Sequence, residues 1–340
     1  MRSAVRPCYI PRSGCVRHVS IIIRVFWVVL AIGLVQATAT RGQDPLPSWN
    51  STHTKQVLLD YIQAVTTPGS PDFIPIPDRI AVFDNDGTLC TEKPLSFETY
   101  FMISRLKARL SGDPGLAKQP TYHTLVSGND SAIERIPRNE YDKAMADAYQ
   151  GSSLEEFQDI ANQWEAAWRH PKFGKSVREL YYLPMRELMD CLRANGFSVF
   201  VVTGSTSDFV RTFSEEAYGI PASQVIGTAL SLKYRIVDGR SYVIRQSRVE
   251  TVASGPNKPV LIERQIGRRP VFAAGNGSTD PEMLTYTADG SFKSLCILIH
   301  HDDSEREYAY TNERLYELAR QKGWPVVRMK EDWKVVFPLE

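Results

Sequence analysis

Arg79-Ile80-Ala81-Val82-Phe83-Asp84-Asn85-Asp86-Gly87-Thr88-Leu89 joins a short apolar run to two carboxylates and a glycine. Prolines bound the run upstream, at Pro75 and Pro77. Such a run predicts a parallel strand buried on both faces, with a polar loop at its carboxyl end. Two acids at a strand end can divide one reaction between them. Asp84 can attack phosphorus as a nucleophile. Asp86 can protonate a leaving alkoxide and later deprotonate the attacking water. Gly87 lets the chain depart sharply. An ordinary Asp/Asn/Gly turn is the competing reading of the same residues.

Downstream the pattern changes. Between 96 and 184 the segments Phe97–Leu110, Glu140–Tyr149 and Leu154–Trp168 are helical by length and period, rich in charge, and separated by Gly, Pro and Ser. They predict an all-helical insertion. α/β alternation then returns. Met185, Leu188, Met189 and Leu192 follow the i, i+3, i+4, i+7 spacing of a helix that Gly196 stops. Phe197–Val202, Val271–Ala274, Leu295–Ile299 and Lys334–Phe337 read as strands. Phe209–Tyr218, Val260–Ile266 and Leu315–Lys322 read as helices, and Lys55–Val65 as a helix before the first strand. Val225–Ile236 and Tyr242–Gln246 flank Asp238-Gly239, a hairpin signal. Strand followed by polar loop recurs at Asp84, at Thr203 and at Gly275-Asn276. In an open parallel sheet such loops converge beyond the carboxyl ends of the strands, where ligands bind. The expected fold is α/β, a three-layer Rossmann-like core with a parallel sheet and an all-helical cap inserted between the first and second of these loops. The core takes residues 40–95 and 185–340, the cap 96–184.

These loops carry a resemblance. Phe83-Asp84-Asn85-Asp86-Gly87-Thr88-Leu89 resembles motif one of the haloacid dehalogenase-like hydrolase superfamily, most of whose members transfer phosphoryl groups. Phe200-Val201-Val202-Thr203-Gly204 resembles motif two. Lys258, in Gly255-Pro256-Asn257-Lys258-Pro259, fits motif three, and Gly275-Asn276-Gly277-Ser278-Thr279-Asp280 is similar to motif four. Trp49-Asn50, Glu92-Lys93-Pro94, Ile266-Gly267-Arg268-Arg269-Pro270 and the ending Asp332-Trp333-Lys334-Val335-Val336-Phe337-Pro338 resemble an exported bacterial branch akin to phosphoserine and phosphorylcholine phosphatases. The resemblance implies a phosphomonoesterase acting on a small phosphorylated metabolite. Asp84 would form an aspartyl-phosphate, Asp86 would serve as general acid and base, and Lys258 would neutralise charge, with Lys233 and Lys293 as substitutes. Thr203 and Gly204 would hold the phosphoryl group. Magnesium would be held by Asp84, the Asp86 carbonyl, Asn276 and Asp280. Oxygen donors with retained waters suit that ion, and phosphoryl transfer needs positioning and cation stabilisation above all.

Motif four departs from the pattern. Many relatives place a carboxylate where this chain has Asn276, and exported relatives with Asn there often have an Asp where this chain has Ser278. An amide carries no formal charge, so weak metal binding is expected. This keeps two alternatives open: a binding protein that kept the fold, and a hydrolase of another phosphoryl or phosphonate bond. Glu92 lies where phosphoserine phosphatases contact a substrate ammonium, and a solvated hinge residue is the competing reading. Trp164, Trp168, Tyr181 and Tyr182 are candidates for a cation–π pocket, or for ordinary core. Of His300-His301, one ring should face the site and the other solvent, since neighbours on a strand alternate.

The N-terminus reads as an address. A basic segment, an apolar run from Val25 to Val35 and the small-residue site Ala37-Thr38-Ala39 form the layout of a secretory signal peptide over residues 1–39. An uncleaved anchor is the alternative. Export predicts a periplasmic or secreted protein without lasting membrane association. The 340 residues have a formal charge of +1, which gives no reason to expect a nucleic-acid partner. Residues 1–39 contain five arginines and no acid, so 35 basic and 39 acidic side chains remain beyond them, a net charge of −4. Cys8 and Cys15 would leave with the leader. Cys90, Cys191 and Cys296 are too few and too dispersed for a disulfide framework or a zinc site, and allow at most one bridge.

Overall fold

A computed structural model describes residues 44–338 apart from 113, 114 and 128. The predicted leader, with Cys8 and Cys15, lies outside the described residues. Helix α1 (His53–Thr66) precedes strand β1 (Ile80–Phe83). Between β1 and β2 (Ser198–Thr206) come α2 (Phe97–Gly112), α3 (Pro120–Ser127), α4 (Asp130–Ile133), α5 (Arg138–Tyr149), α6 (Leu154–Ala167) and α7 (Leu183–Ala194). Then follow α8 (Ser207–Val210), α9 (Ser214–Tyr218), the hairpin β3 (Val225–Val237) and β4 (Arg240–Thr251), and α10 (Asn257–Ile266). The chain ends with β5 (Phe272–Gly275), α11 (Pro281–Ala288), β6 (Leu295–His300), α12 (Glu313–Lys322), β7 (Val326–Arg328) and α13 (Met329–Asp332).

The seven strands form one sheet in the order β4-β3-β2-β1-β5-β6-β7. All neighbours are parallel except β3 and β4. β1 lies centrally because it is apolar on both faces. Ala81 and Phe83 enter one hydrophobic cluster, and Ile80 and Val82 the other. The chain leaves β1 for β2 on one side and reaches β5 on the other, so the sheet reverses its winding at β1. The carboxyl ends of β2, β1 and β5 therefore open into one crevice.

Met185, Leu188, Met189 and Leu192 are all fully buried, as their helical spacing predicts. The hairpin turn also follows its sequence. Asp238 and Gly239 have φ of 50° and 77°, the positive pair that a two-residue turn matching strand twist requires. Two predicted elements differ. The helix expected over Phe209–Tyr218 is two short helices, because Thr212 Oγ1 donates to the Phe209 carbonyl at 2.6 Å and Phe213 N bonds back only to Val210. That side-chain bond competes with the helical ladder. The strand expected over Lys334–Phe337 is absent. Val326–Arg328 supplies the edge strand, while Trp333 bridges antiparallel to Trp49 and Lys334 N donates to the Ser48 carbonyl at 2.8 Å.

The helices between β1 and β2 share their core with the sheet. Phe101 of α2 stacks on Phe209 of α8 at 5.3 Å and packs against Tyr149, Phe157 and Trp164. The hairpin grips them from the other side. Gly151 N donates to the Arg245 carbonyl at 2.9 Å, and Arg245 N to the Ser152 carbonyl at 3.0 Å. The Arg245 side chain is 2% exposed. It donates to Asp208 at 2.7 and 3.0 Å and to the Ser153 carbonyl at 2.6 Å, with its guanidinium 4.0 Å from the centre of the Phe157 ring. Removing one partner of a buried ion pair strands the other. Arg245→Ala is therefore expected to lower stability by about 3 kcal/mol, read from the urea unfolding midpoint.

Candidate active site

Asp84 leaves β1 still tied to the sheet, its N–H donating to the Ala274 carbonyl of β5 at 3.0 Å. The chain then folds around Asn85. The Asn85 carbonyl accepts from the N–H groups of Thr88, Leu89 and Cys90 at 3.1, 2.7 and 3.3 Å, and Tyr218 donates its hydroxyl to Asn85 Oδ1 at 2.9 Å. Gly87 has φ +78°, and a Cβ there would overlap the Asn276 amide and the Glu92 carboxylate. Only glycine meets both requirements.

The loop opens onto a cavity of about 380 Å³. Asp84 and Asp86 line it with Gly204 and Ser205 from β2, with Gly277 to Thr279 after β5, and with Glu98, Thr99, Ile133, Arg138 and Tyr141 from the inserted helices. Lys258, fully buried at the start of α10, donates from Nζ to Asp84 Oδ1 at 2.6 Å and to Asp280 Oδ1 at 2.7 Å. Burial alone would lower the Lys258 pKa, but Asp280 and Asp84 reverse the effect and hold the ammonium charged. Lys293 is instead paired at the surface with Asp72, and Lys233 is exposed on β3, so neither substitutes. Burial raises the Asp86 pKa, against the Ser205 hydroxyl, which donates to Asp86 Oδ2 at 2.7 Å. Desolvation of this kind favours the protonated form.

The structure gives two residues a different place from the one expected. Asp280 is fully buried with both oxygens engaged. Oδ1 faces Lys258, and Oδ2 accepts from the backbone N–H of Asn276 at 3.0 Å and of Gly277 at 2.8 Å. It anchors Lys258 and the loop rather than facing the cavity. Thr203 is likewise fully buried, its oxygen accepting from Ser205 N at 3.0 Å. Gly204 and Ser205 present motif two to the cavity in its place. The aromatics do not line the cavity. Trp164 stacks on Trp168 at 5.2 Å, and Tyr182 is buried against Trp333. Cys90, Cys191 and Cys296 are free and buried.

Glu92 lines the cavity and accepts from Asn276 Nδ2 at 2.8 Å and from the Tyr310 hydroxyl at 2.6 Å. Burial raises its pKa, opposed by the Tyr310 bond. His301 is the inward-facing ring of its pair. Its Nε2 lies 2.7 Å from the Gly87 carbonyl and its Nδ1 3.3 Å from Glu307, while His300 packs on Tyr316. Ser205, Glu98 and Tyr310 escaped the sequence reading. Glu98 had a signal, as an acid between Phe97 and Phe101 in an apolar stripe. Tyr310 lies 218 residues from Glu92 and had none.

Among the described residues, no group of three or more His, Cys, Asp or Glu side chains is arranged to hold a metal ion. The acidic surplus nonetheless suits a cation. Lys258 already faces two carboxylates, and Asp86 and Glu92 add two more, partly buried carboxyls. The Asp84 carboxylate, the Asp86 carbonyl and the Asn276 amide are hard oxygen donors that fit a magnesium ion retaining much of its water.

A family model of haloacid dehalogenase-like hydrolases matches residues 81–285, more than half of the chain, and the chain belongs to that family. A conserved, functionally unknown protein from Anaerococcus prevotii DSM 20548 has the same fold, with a TM-score of 0.53 at 15% identity over 84% of this chain and 94% of its own. A protein of unknown function from Bordetella pertussis Tohama I reaches 0.48 at 19% identity, covering 73% and 97%. A phosphoserine phosphohydrolase-like protein from Francisella tularensis subsp. tularensis SCHU S4 reaches 0.37 at 17% identity, covering 72% and 99%. None of the curated proteins matches.

Glu98 makes the site sensitive to pH. It is 3% exposed, bonds both the hydroxyl and the N–H of Thr206, and burial pushes its pKa up to about 7 against those bonds. A glutamate in the unfolded chain titrates near 4.5. Between those values the folded state holds the extra proton, so this contribution to stability is complete below about 4.5 and is lost as pH rises through about 7. Glu98→Gln is expected to flatten that part of the stability profile, measured by denaturant unfolding across the window.

Proposed function

We propose that this hydrolase is a magnesium-dependent phosphomonoesterase that acts on a small phosphorylated metabolite through an aspartyl-phosphate. The observation that carries the reading is Asp84 held 2.6 Å from the buried Lys258 ammonium, with Asp86 lining the same cavity. Burial and Asp280 raise the Asp84 pKa, Lys258 opposes them, and the ammonium offsets the charge that the phosphoryl group brings. An Asp84 oxygen forms a bond to phosphorus while the bond from phosphorus to the leaving oxygen breaks. Asp86 delivers its proton to that oxygen, giving an alcohol. Water then attacks phosphorus, Asp86 takes a proton from it, and the bond to Asp84 breaks, releasing phosphate and restoring both carboxyls. Ser205 orients Asp86 for both transfers. A bound magnesium ion would neutralise phosphoryl oxygens at Asp84, the Asp86 carbonyl and Asn276.

Phosphoryl oxygens are received by Gly204, Ser205 and residues 277–279, all of which line the cavity. The helices from 96 to 184 act as a cap that excludes water and thereby strengthens the electrostatics within. The cavity volume suits a small leaving group. Residues 1–39 act as an export signal, which makes the working protein periplasmic or secreted. No helix of the described residues is long and apolar enough to cross a membrane.

The test is hydrolysis of a generic aryl phosphate. Asp84→Asn is expected to lower the rate by about a thousandfold or more, because the attacking oxygen is lost. Activity that survives this substitution would overturn the mechanism.

A further inference from the structure

We propose that Glu92 and Asn276 act as one metal-binding unit, in which the Glu92 carboxylate polarises the Asn276 amide and supplies the negative charge that the amide lacks. The inference rests on the magnesium-dependent reading above, and it answers the weakness that motif four presents.

The Asn276 amide is fixed at both ends. Its Nδ2 donates to Glu92 Oε1 at 2.8 Å, and its Oδ1 accepts from the Thr88 hydroxyl at 2.9 Å. Exchanging the amide atoms would set oxygen against the Glu92 carboxylate, so the network settles the orientation. Glu92 is fixed in turn by the Tyr310 hydroxyl at 2.6 Å. The Tyr310 ring stacks on His301 at 4.2 Å, and His301 Nε2 reaches the Gly87 carbonyl at 2.7 Å. These contacts close a circuit around Gly87. Within it the Glu92 oxygen and the Asn276 nitrogen stand together over the place that a Gly87 side chain would fill. The unit is therefore seated on the residue that follows Asp86.

An amide whose N–H groups donate to a carboxylate holds more electron density on its oxygen. A carboxylate behind a metal-bound imidazole raises ligand basicity in the same way, and such partners change metal affinity by about ten- to a hundredfold. The Asn276 oxygen keeps a second lone pair beyond its bond to Thr88. Glu92 thus restores at one remove the charge that an aspartate at 276 would supply directly.

Magnesium titration by calorimetry tests the unit on the full protein, with thermal melting to confirm folding. Glu92→Gln is expected to weaken magnesium binding by about tenfold or more. Glu92→Asp, which keeps the charge but withdraws it from the amide, is expected to weaken it as well. The double variant Glu92→Gln with Asn276→Asp is expected to regain wild-type affinity, since the charge has moved to the ligand itself. If both Glu92 variants bind magnesium as tightly as the wild type and only the substrate KM rises, Glu92 is a substrate contact and the inference fails while the phosphatase reading stands. A wild-type protein that binds no magnesium at millimolar concentration would overturn both.

Discussion

A lysine ammonium without solvent exposure persists only where carboxylates replace the water it has lost, and Lys258 meets that condition between Asp84 and Asp280. The ion triad joins three segments that lie far apart in the chain. Asp84 ends β1, Lys258 starts α10, and Asp280 closes the loop after β5. Asp280 also ties its own loop, taking the N–H groups of Asn276 and Gly277. The fit leaves no room at Gly275, where a Cβ would lie 2.7 Å from the Asp280 Cβ. Charge pairing at one point thus fixes both Asp84 and the loop opposite it. Losing the lysine would leave two buried carboxylates unpaired, a larger penalty than the pair itself contributes.

The parallel core was legible because its strands are buried on both faces and read as unbroken apolar runs. Ile80–Phe83 and Phe272–Gly275 have no alternation to obscure them. The loops were legible because Gly, Asp and Asn cluster where those runs stop. What escaped was set by distance. Tyr310 on Glu92 and His301 on Gly87 join residues more than two hundred positions apart, and neither has a local signature. Asp280 shows the same limit from another side. Its sequence fits a metal ligand, whereas in the fold its oxygens meet Lys258 and the Asn276 and Gly277 N–H groups. The ending Lys334–Phe337 was misread because its apolar pattern is real, but Phe337 packs on Phe173 and Tyr182, and Lys334 N bonds the Ser48 carbonyl rather than a sheet edge.

The helices over the site and the hairpin beside it are coupled to the chemistry through buried polar groups as well as packing. Glu98 reaches from α2 to Thr206, three residues past the motif-two threonine. Arg245 binds β4 to Asp208 of α8 and to Ser153 at the start of α6. Each link spans the boundary between inserted helices and sheet, and each is deeply buried. Opening the helices far enough to expose the cavity floor would uncover a carboxyl or a guanidinium with its partner removed.

The charge of the chain sharpens what the site must do by itself. Beyond residue 39 acids outnumber bases by four, so no general positive field draws a phosphate ester inward. Around the cavity floor the imbalance is greater, since Lys258 is already committed to two carboxylates. A dianionic phosphoryl group could not settle there against Asp86 and Glu92 without further positive charge. Burial raises the Asp86 pKa, which eases part of that conflict. On the proposed reading a bound cation would meet the remainder, and the oxygen donors around Gly87 are the groups that could hold one.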